Sequence, residues 1–303
     1  PEAAKTLPVI ALKDLSPEVD VIPLQAETRG GVTILSHDLF TNDIAYLHLA
    51  FDIAHIPDAL QSYLPLMCRF MTGLGAGELS YDELSKQIAL KTGGIGVHLT
   101  SGYGLGGRQT WQKMIVHIRM LYRNIPAAID ILSDILFRGK LSETARMKDL
   151  VFEGRNDMQA AVVPSGHIFA KRTASASLSL PAYREEQWHG RNQLKFINRL
   201  AESWGKDLND FTGKMADLKA RIIRKDKLIM NLTADAVGLR LLADAVGPVL
   251  AELSDDRFTI SEASIPALSP RTGVVIPAQV SYLAEAFPAP TYGSELAAPL
   301  FVL

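Results

Sequence analysis

The sequence contains only one cysteine, Cys68, among its 303 residues. A single cysteine can form no intramolecular disulfide and cannot supply a cysteine-based metal cluster. Cys68 lies among apolar residues at helical spacing within 63–70, a setting typical of a small buried side chain. We therefore predict a core thiol rather than a nucleophile.

A large excess of charge of either sign is also absent. The chain has 31 basic and 33 acidic residues and a formal net charge of −2, so it has no field that would concentrate nucleic acid or an anionic membrane. No apolar run reaches the roughly 18 residues that a membrane-spanning helix needs, and no signal peptide is recognisable. These absences favour a soluble globular protein with neither nucleic acid nor membrane as a partner.

Recognisable catalytic motifs are missing as well. The sequence contains no H-x-x-E-H or H-E-x-x-H zinc motif, no G-x-S-x-G elbow and no Walker-type phosphate loop. The glycine-rich stretch 102–107 matches G-x-G-x-x-G, but it lies between two strand patterns and lacks a following helix to bind an anion. It is better interpreted as a hairpin turn, and we predict no catalytic and no metal-ligating residue.

Three of the seven histidines form a less obvious pattern. His48, His98 and His117 all fall on the polar faces of predicted strands, and neighbouring strands could bring them together. One interpretation is a three-histidine metal site, and the other, which we favour, is a half-exposed polar sheet face. The pair Glu185 and Glu186 and the basic cluster 221–225 are likewise typical of solvated surfaces.

Hydrophobic periodicity predicts a block of strands, then helices, then a returning strand. The predicted strands are 31–36, 41–53, 95–101, 111–121 and 227–232. The predicted helices are 57–73, 80–91, 125–137, 141–163, 168–178, 191–203, 206–223 and 234–253. A linker follows over 254–273, and 274–283 has the pattern of a further strand. The fold class is therefore α+β, with a mainly antiparallel sheet and helices packed on one face.

Local strings occur in an order and spacing that resembles the C-terminal half of the pitrilysin/insulinase-type zinc metallopeptidases, in particular the presequence-protease branch. The strings are Thr41-Asn-Asp-Ile-Ala-Tyr-Leu-His-Leu-Ala-Phe-Asp52, Tyr63-Leu-Pro-Leu66, Thr72-Gly-Leu-Gly75, Ser80-Tyr-Asp-Glu-Leu84, Thr92-Gly-Gly-Ile95 and Ile276-Pro-Ala-Gln-Val-Ser-Tyr282. The resemblance covers nearly the whole chain.

The resemblance implies two homologous halves that close around a chamber in which unfolded peptides are cut. It implies an H-x-x-E-H zinc helix in the N-terminal half, before Pro1, and a substrate-gripping R-x-x-G-G-A-Y-G-like string after Leu303. Neither string occurs in this chain. No catalytic residue is therefore assigned here, no cofactor is expected in this chain, and zinc would be bound by the N-terminal catalytic half of the same polypeptide.

The resemblance also predicts the domain organisation. Residues 1–253 would be a third-domain-like α+β unit, 254–273 a linker, and 274–303 the first elements of a truncated fourth domain. The apolar end 297–303 and the absence of an initial Met fit a piece of a longer polypeptide. Such a piece would be inactive alone, in the cytoplasm or an organelle matrix.

Two rival functions stay open at this point. One is a free-standing structural or assembly protein on a catalytically dead metallopeptidase fold, and the other is an independent enzyme built on the histidine face. If helices cover one face of the sheet, five side chains stand on the other face as candidate contacts for a substrate peptide. They are Tyr46, His48, His98, His117 and Arg119.

Overall fold

A six-stranded sheet forms the centre of the fold. The computed structural model describes residues 11–16, 18, 20–107, 109–258, 265–269 and 271–302. The strands are β1 (Gln25–Arg29), β2 (Val32–Asp38), β3 (Ile44–Asp52), β4 (Ile95–Tyr103), β5 (Thr110–Leu121) and β6 (Ile229–Ala234). Their spatial order is β1-β2-β6-β3-β5-β4, and every pairing is antiparallel except β2 with β6. The predicted mainly antiparallel sheet is confirmed.

Twelve α-helices accompany the sheet in the described part of the chain. They are α1 (Asp58–Gln61), α2 (Leu64–Gly73), α3 (Tyr81–Lys91), α4 (Ile125–Arg138), α5 (Thr144–Val162), α6 (Gly166–Ser175), α7 (Leu180–His189), α8 (Arg191–Glu202), α9 (Leu208–Ile222), α10 (Ala236–Ala245), α11 (Gly247–Glu252) and α12 (Ala297–Val302). Helices α2, α4, α7 and α10 contact the sheet directly.

One face of the sheet is buried beneath these helices. Leu47, Leu49 and Phe51 of β3 alternate with polar neighbours, and all three are fully buried in the main core. Val116 and Ile118 of β5 pair beside them and are equally buried. A strand exposes successive side chains to opposite faces, so this burial fixes the register and leaves the polar row on the opposite face. The apolar rows of β3 and β5 therefore face the core.

Three of the strands and α-helices were missed from the sequence, namely α7, α12 and β1. Helix α7 begins with Leu180-Pro181, and proline is compatible with the first turn of a helix, where its missing N–H is not needed. Ser179 caps the helix by accepting a hydrogen bond from the Ala182 N–H. Strand β1 is exposed at every position, so it has no hydrophobic alternation to detect.

Predicted helices 57–73 and 234–253 are each divided in two in the structure. In the second case Pro248 stands in the first turn of α11, where it cannot donate the hydrogen bond that would continue α10.

The predicted strand at 274–283 is wrong. This segment has no strand or helix, because it lies beside no other strand of the described chain and so has no ladder of backbone hydrogen bonds. Tyr282 instead donates a hydrogen bond from its hydroxyl to the Val163 carbonyl, and its ring lies against Gly166. The division into domains at 253/254 and 273/274 stays a prediction, and part of the 254–273 linker lies outside the described residues.

The boundaries of α3 follow the sequence closely. Ser80 and Glu83 form a reciprocal capping box, and the helix ends at Lys91. Gly94 then turns the chain into β4 with a φ of +118°, a conformation that residues with a Cβ rarely adopt. Gly94 is thus the glycine at positive φ that follows the end of α3.

Replacing Gly94 with valine is expected to lower the free energy of unfolding by about 1–2 kcal/mol. A Cβ at Gly94 would contact no other atom within 4 Å, so the loss measures backbone strain alone. Gly213→Ala in α9 is the matched control, because that site is also open but helical, and it should be neutral or stabilising. Thermal melting of both variants checks this, and equal melting temperatures would contradict it.

Candidate functional site

The five candidate residues lie together on the side of the sheet that the helices leave uncovered, which we call the open face. Tyr46 and His48 belong to β3, His117 and Arg119 to β5, and His98 to β4. Tyr46 pairs with Arg119, and His48 pairs with His117. The structure therefore brings together residues from three separate strands, but it does not by itself assign them a role.

The three histidines form one cluster on the open face. The His117 ring lies 5.9 Å from His48 and 5.5 Å from His98, centroid to centroid, in edge-to-face arrangements. The His117 ring also lies directly over Gly96, where an added Cβ would come within 2.3 Å of it. Gly96 is thus required for this ring position.

Two of the three histidines, His48 and His98, have lowered pKa values. Burial lowers the pKa of His48, and His117 and then His98 lower it further. The pKa of His98 is lowered by burial, then by His117 and by His189 of α7. The charges that lower the pKa of His48 are thus those of neighbouring histidines, which disfavour its imidazolium form.

Arg119 closes one end of the cluster. Its Nε donates a hydrogen bond to the Gly93 carbonyl over 2.7 Å, while the Gly93 N–H donates to the Arg119 carbonyl over 2.8 Å. The surface between Arg119 and the histidine cluster forms a depression of about 300 Å³. Its lining consists of Tyr46, His48, Gly93, Gly94, Ile95, His117, Ile118 and Arg119.

The lining of the depression supplies groups that can bind a ligand. Among the described residues, the lining supplies N–H and O–H donors and aromatic surface, and it includes no cysteine or serine nucleophile and no carboxylate general base. Within the described ranges, no group of three His, Cys, Asp or Glu side chains is arranged to hold a metal ion. The three histidines are therefore close together without forming a ligand set.

Sequence reasoning missed two parts of this site. Asn231 of β6 pairs with His48, and its Oδ1 is buried without a hydrogen-bond partner in the described part of the chain. Gly93 and Gly94 come from the turn before β4, which the sequence identified only as a helix stop. The period-2 pattern of 227–232 could have placed Asn231 on a face, but no local signal gives strand order.

The thiol of Cys68 behaves as the sequence predicted. It packs against the main core, and burial raises its pKa well above the usual range. A thiol held protonated in this way is a poor nucleophile.

The fold and its ordered strings can be compared with known proteins. The protein family described as peptidase M16, subfamily C, associated matches residues 1–200. The chain belongs to this family. It is also 26% identical over 306 residues to presequence protease 1, chloroplastic/mitochondrial, of Arabidopsis thaliana, covering 100% of this chain and 28% of that protein. The mitochondrial presequence protease of Danio rerio is 26% identical over 255 residues, covering 84% of this chain and 25% of that protein.

Solved structures agree on the fold. Pitrilysin superposes with a TM-score of 0.55 at 13% identity, over 82% of this chain and 25% of that chain. A protease from Helicobacter pylori superposes with a TM-score of 0.53 at 12% identity, over 82% of this chain and 54% of that chain. The predicted resemblance to the presequence-protease branch of these peptidases is confirmed.

The chain spans between a quarter and three tenths of the length of these two presequence proteases. Among the helices of the described residues, none is long and apolar enough to cross a membrane.

Proposed function

We propose that this chain belongs to the non-catalytic half of a zinc-dependent oligopeptidase and forms part of the wall of a chamber that encloses unfolded peptides. The observation that carries the proposal is the open face. Five polar side chains stand on one uncovered sheet surface, in a chain similar along its whole length to part of a presequence protease. The partner is the N-terminal catalytic half of the same polypeptide, which would bind the zinc, in an aqueous compartment such as the cytoplasm or an organelle matrix.

The role of the open face in this proposal is to hold peptide, not to cut it. The imidazole, phenol and guanidinium groups donate hydrogen bonds to the carbonyl oxygens of an extended peptide, and the aromatic rings contact its apolar side chains. Such contacts are the same in the bound substrate and in the transition state. They therefore contribute to affinity rather than to the chemical step.

Alanine at His48, His117 or Arg119 is therefore expected to raise the KM of the full-length peptidase several-fold. The kcat should stay within about two-fold of the parent value, since the lost contact stabilises the bound substrate and the transition state equally. Steady-state kinetics on an unfolded peptide substrate measures this. Arg240→Ala on α10 is the control, because Arg240 is also exposed and also donates from Nε to a backbone carbonyl, but lies in a helix away from the open face. A fall in kcat at constant KM would contradict the binding role.

The 303-residue chain alone is expected to bind no zinc and to cleave no peptide. A hydrolytic zinc needs three protein ligands and an open position, and the described residues offer no such group. Elemental analysis and a peptidase assay on the purified chain test this. About one zinc per chain, lost on replacing His48 or His117, would overturn the expectation and favour an enzyme built on the histidine face.

A further inference from the structure

The depression on the open face has an unusual balance of charge. Arg119 stands at one end and the histidine cluster at the other, and no described Asp or Glu contributes to the lining. On the rest of the surface, arginines commonly have acidic partners, as Arg69 has Asp157 and Arg221 has Asp217. The depression is thus lined by hydrogen-bond donors and by the Arg119 guanidinium, which no anion of the described chain neutralises.

The guanidinium of Arg119 is both oriented and available. Its hydrogen bond from Nε to the Gly93 carbonyl fixes the plane of the group. Neither Nη nitrogen has a hydrogen-bond or ion-pair partner within the described residues. A fixed guanidinium with both terminal nitrogens available is the fork that matches the two oxygens of a carboxylate.

A second observation concerns His117, which lines the same depression. Its Nδ1 is buried, and it has no hydrogen-bond partner among the described residues. A buried imidazole nitrogen without a partner is costly, so a turn of the ring that brings this nitrogen to a ligand in the depression is favoured.

We propose that this depression is a carboxylate-binding subsite, in which Arg119 is the main ligand and His117 and His48 supply further hydrogen bonds to an acidic peptide. The inference rests on the proposed function, because it specifies which peptides the open face prefers. A volume of about 300 Å³ is at the small end of ligand pockets, which suits one acidic residue and its neighbouring backbone. The carboxylate can come from an Asp or Glu side chain or from the C-terminus of the peptide.

Four fluorescent decapeptides of one sequence separate these sources. The central residue is Glu or Gln, and the C-terminus is a free acid or an amide. Fluorescence anisotropy with the 303-residue chain gives the affinity of each. We expect the replacement of the preferred carboxylate by its amide to weaken binding about ten-fold, as loss of a charged hydrogen-bonded pair does. A loss on changing Glu to Gln assigns a side-chain site, and a loss on amidation assigns a C-terminal site.

Arg119→Gln should abolish this preference, because the acidic peptide should then bind only as tightly as its amide form. Arg240→Gln, the matched exposed arginine of α10, should leave the preference of about ten-fold unchanged. The Gly93 contact of Arg119 is on the surface, and melting temperatures within about 2 °C of the parent would show that both variants are folded.

Binding of the acidic peptide should also become tighter from about pH 8 to about pH 6, while that of the amide peptide should not. A bound carboxylate favours the imidazolium form of His48, so complex formation takes up protons. The titratable and charged groups on the open face beside His48 and His117 are Tyr46 on β3, Arg119 on β5 and His98 on β4. The charge of His189 on α7, whose partner is Glu185, also acts on His98. Glu185 forms ion pairs with His189 and Arg172, so it does not neutralise Arg119.

Equal affinity for all four peptides, or a preference that survives Arg119→Gln, would overturn the carboxylate subsite. The proposed function would still stand in that case if all four peptides were weakened by His48→Ala. Absence of binding by any peptide, together with an unchanged KM of the full-length open-face variants, would overturn both.

Discussion

Replacing Arg184 with alanine is expected to lower the free energy of unfolding by about 3 kcal/mol. Arg184 lies on α7 with only 1% of its side chain exposed. Its Nε donates to Gln112 Oε1 over 3.0 Å, and its Nη1 donates to Gln187 Oε1 over 2.5 Å and to Asp58 over 2.7 Å. Removing the guanidinium leaves two buried amide oxygens without these donors and also loses the packing of the arginine stem.

The controls separate hydrogen bonding from charge. Asp58 is 55% exposed, so Asp58→Asn should cost less than about 1 kcal/mol, as a surface ion pair does. Arg184→Met keeps most of the apolar stem, so its loss of unfolding free energy should lie between those of Asp58→Asn and Arg184→Ala. Urea unfolding at neutral pH measures all three. If Arg184→Ala were no more destabilising than Asp58→Asn, the buried network would not hold α7 against β5.

Lowering the pH from about 7 to about 4.5 is expected to destabilise the protein by about 2 kcal/mol through His55 alone. His55 is 3% exposed, and its Nδ1 lies 2.9 Å from an Nη of Arg224, which is 2% exposed. Arginine only donates, so Nδ1 accepts, and Nε2 must donate to the Arg221 carbonyl over 3.1 Å. The geometry therefore fixes a neutral imidazole with its proton on Nε2.

Burial, and then Arg224, lower the pKa of His55 to about 4. The unfolded chain binds this proton near pH 6.5 and the folded chain only near pH 4, so the contribution is complete above pH 6.5 and is lost as the pH falls towards 4. The opposite effect of Asp52 on this pKa is smaller than those of burial and Arg224.

His55→Gln is the matched control, because glutamine can accept from Arg224 and donate to the Arg221 carbonyl without titrating in this range. Urea unfolding at the same two pH values should show about 2 kcal/mol less acid destabilisation in this variant than in the parent. Equal pH dependence in the two proteins would mean that His55 is protonated in the folded state.

The same cluster shows where sequence reasoning about charge failed. The stretch 221–225 was interpreted as a solvated basic surface, and 185–186 as a solvated acidic one. Arg224 is in fact buried, and its guanidinium lies 5.0 Å from the Phe258 ring, which also stacks on His55. Glu186 is buried as well, and burial raises its pKa. The contacts of Arg224 come from distant parts of the chain, so no local pattern announces them.

Periodicity by itself determined the alternating rows of β3 and β5 and the α+β class, and the capping box determined the start of α3, because each depends on neighbours within a few positions. The ordered strings determined the family. Only the tertiary structure decided strand order, and with it the meeting of His48, His98 and His117 with Arg119 on one face. Strand order depends on pairing between segments far apart in the chain, and a single sequence carries no local signal of it.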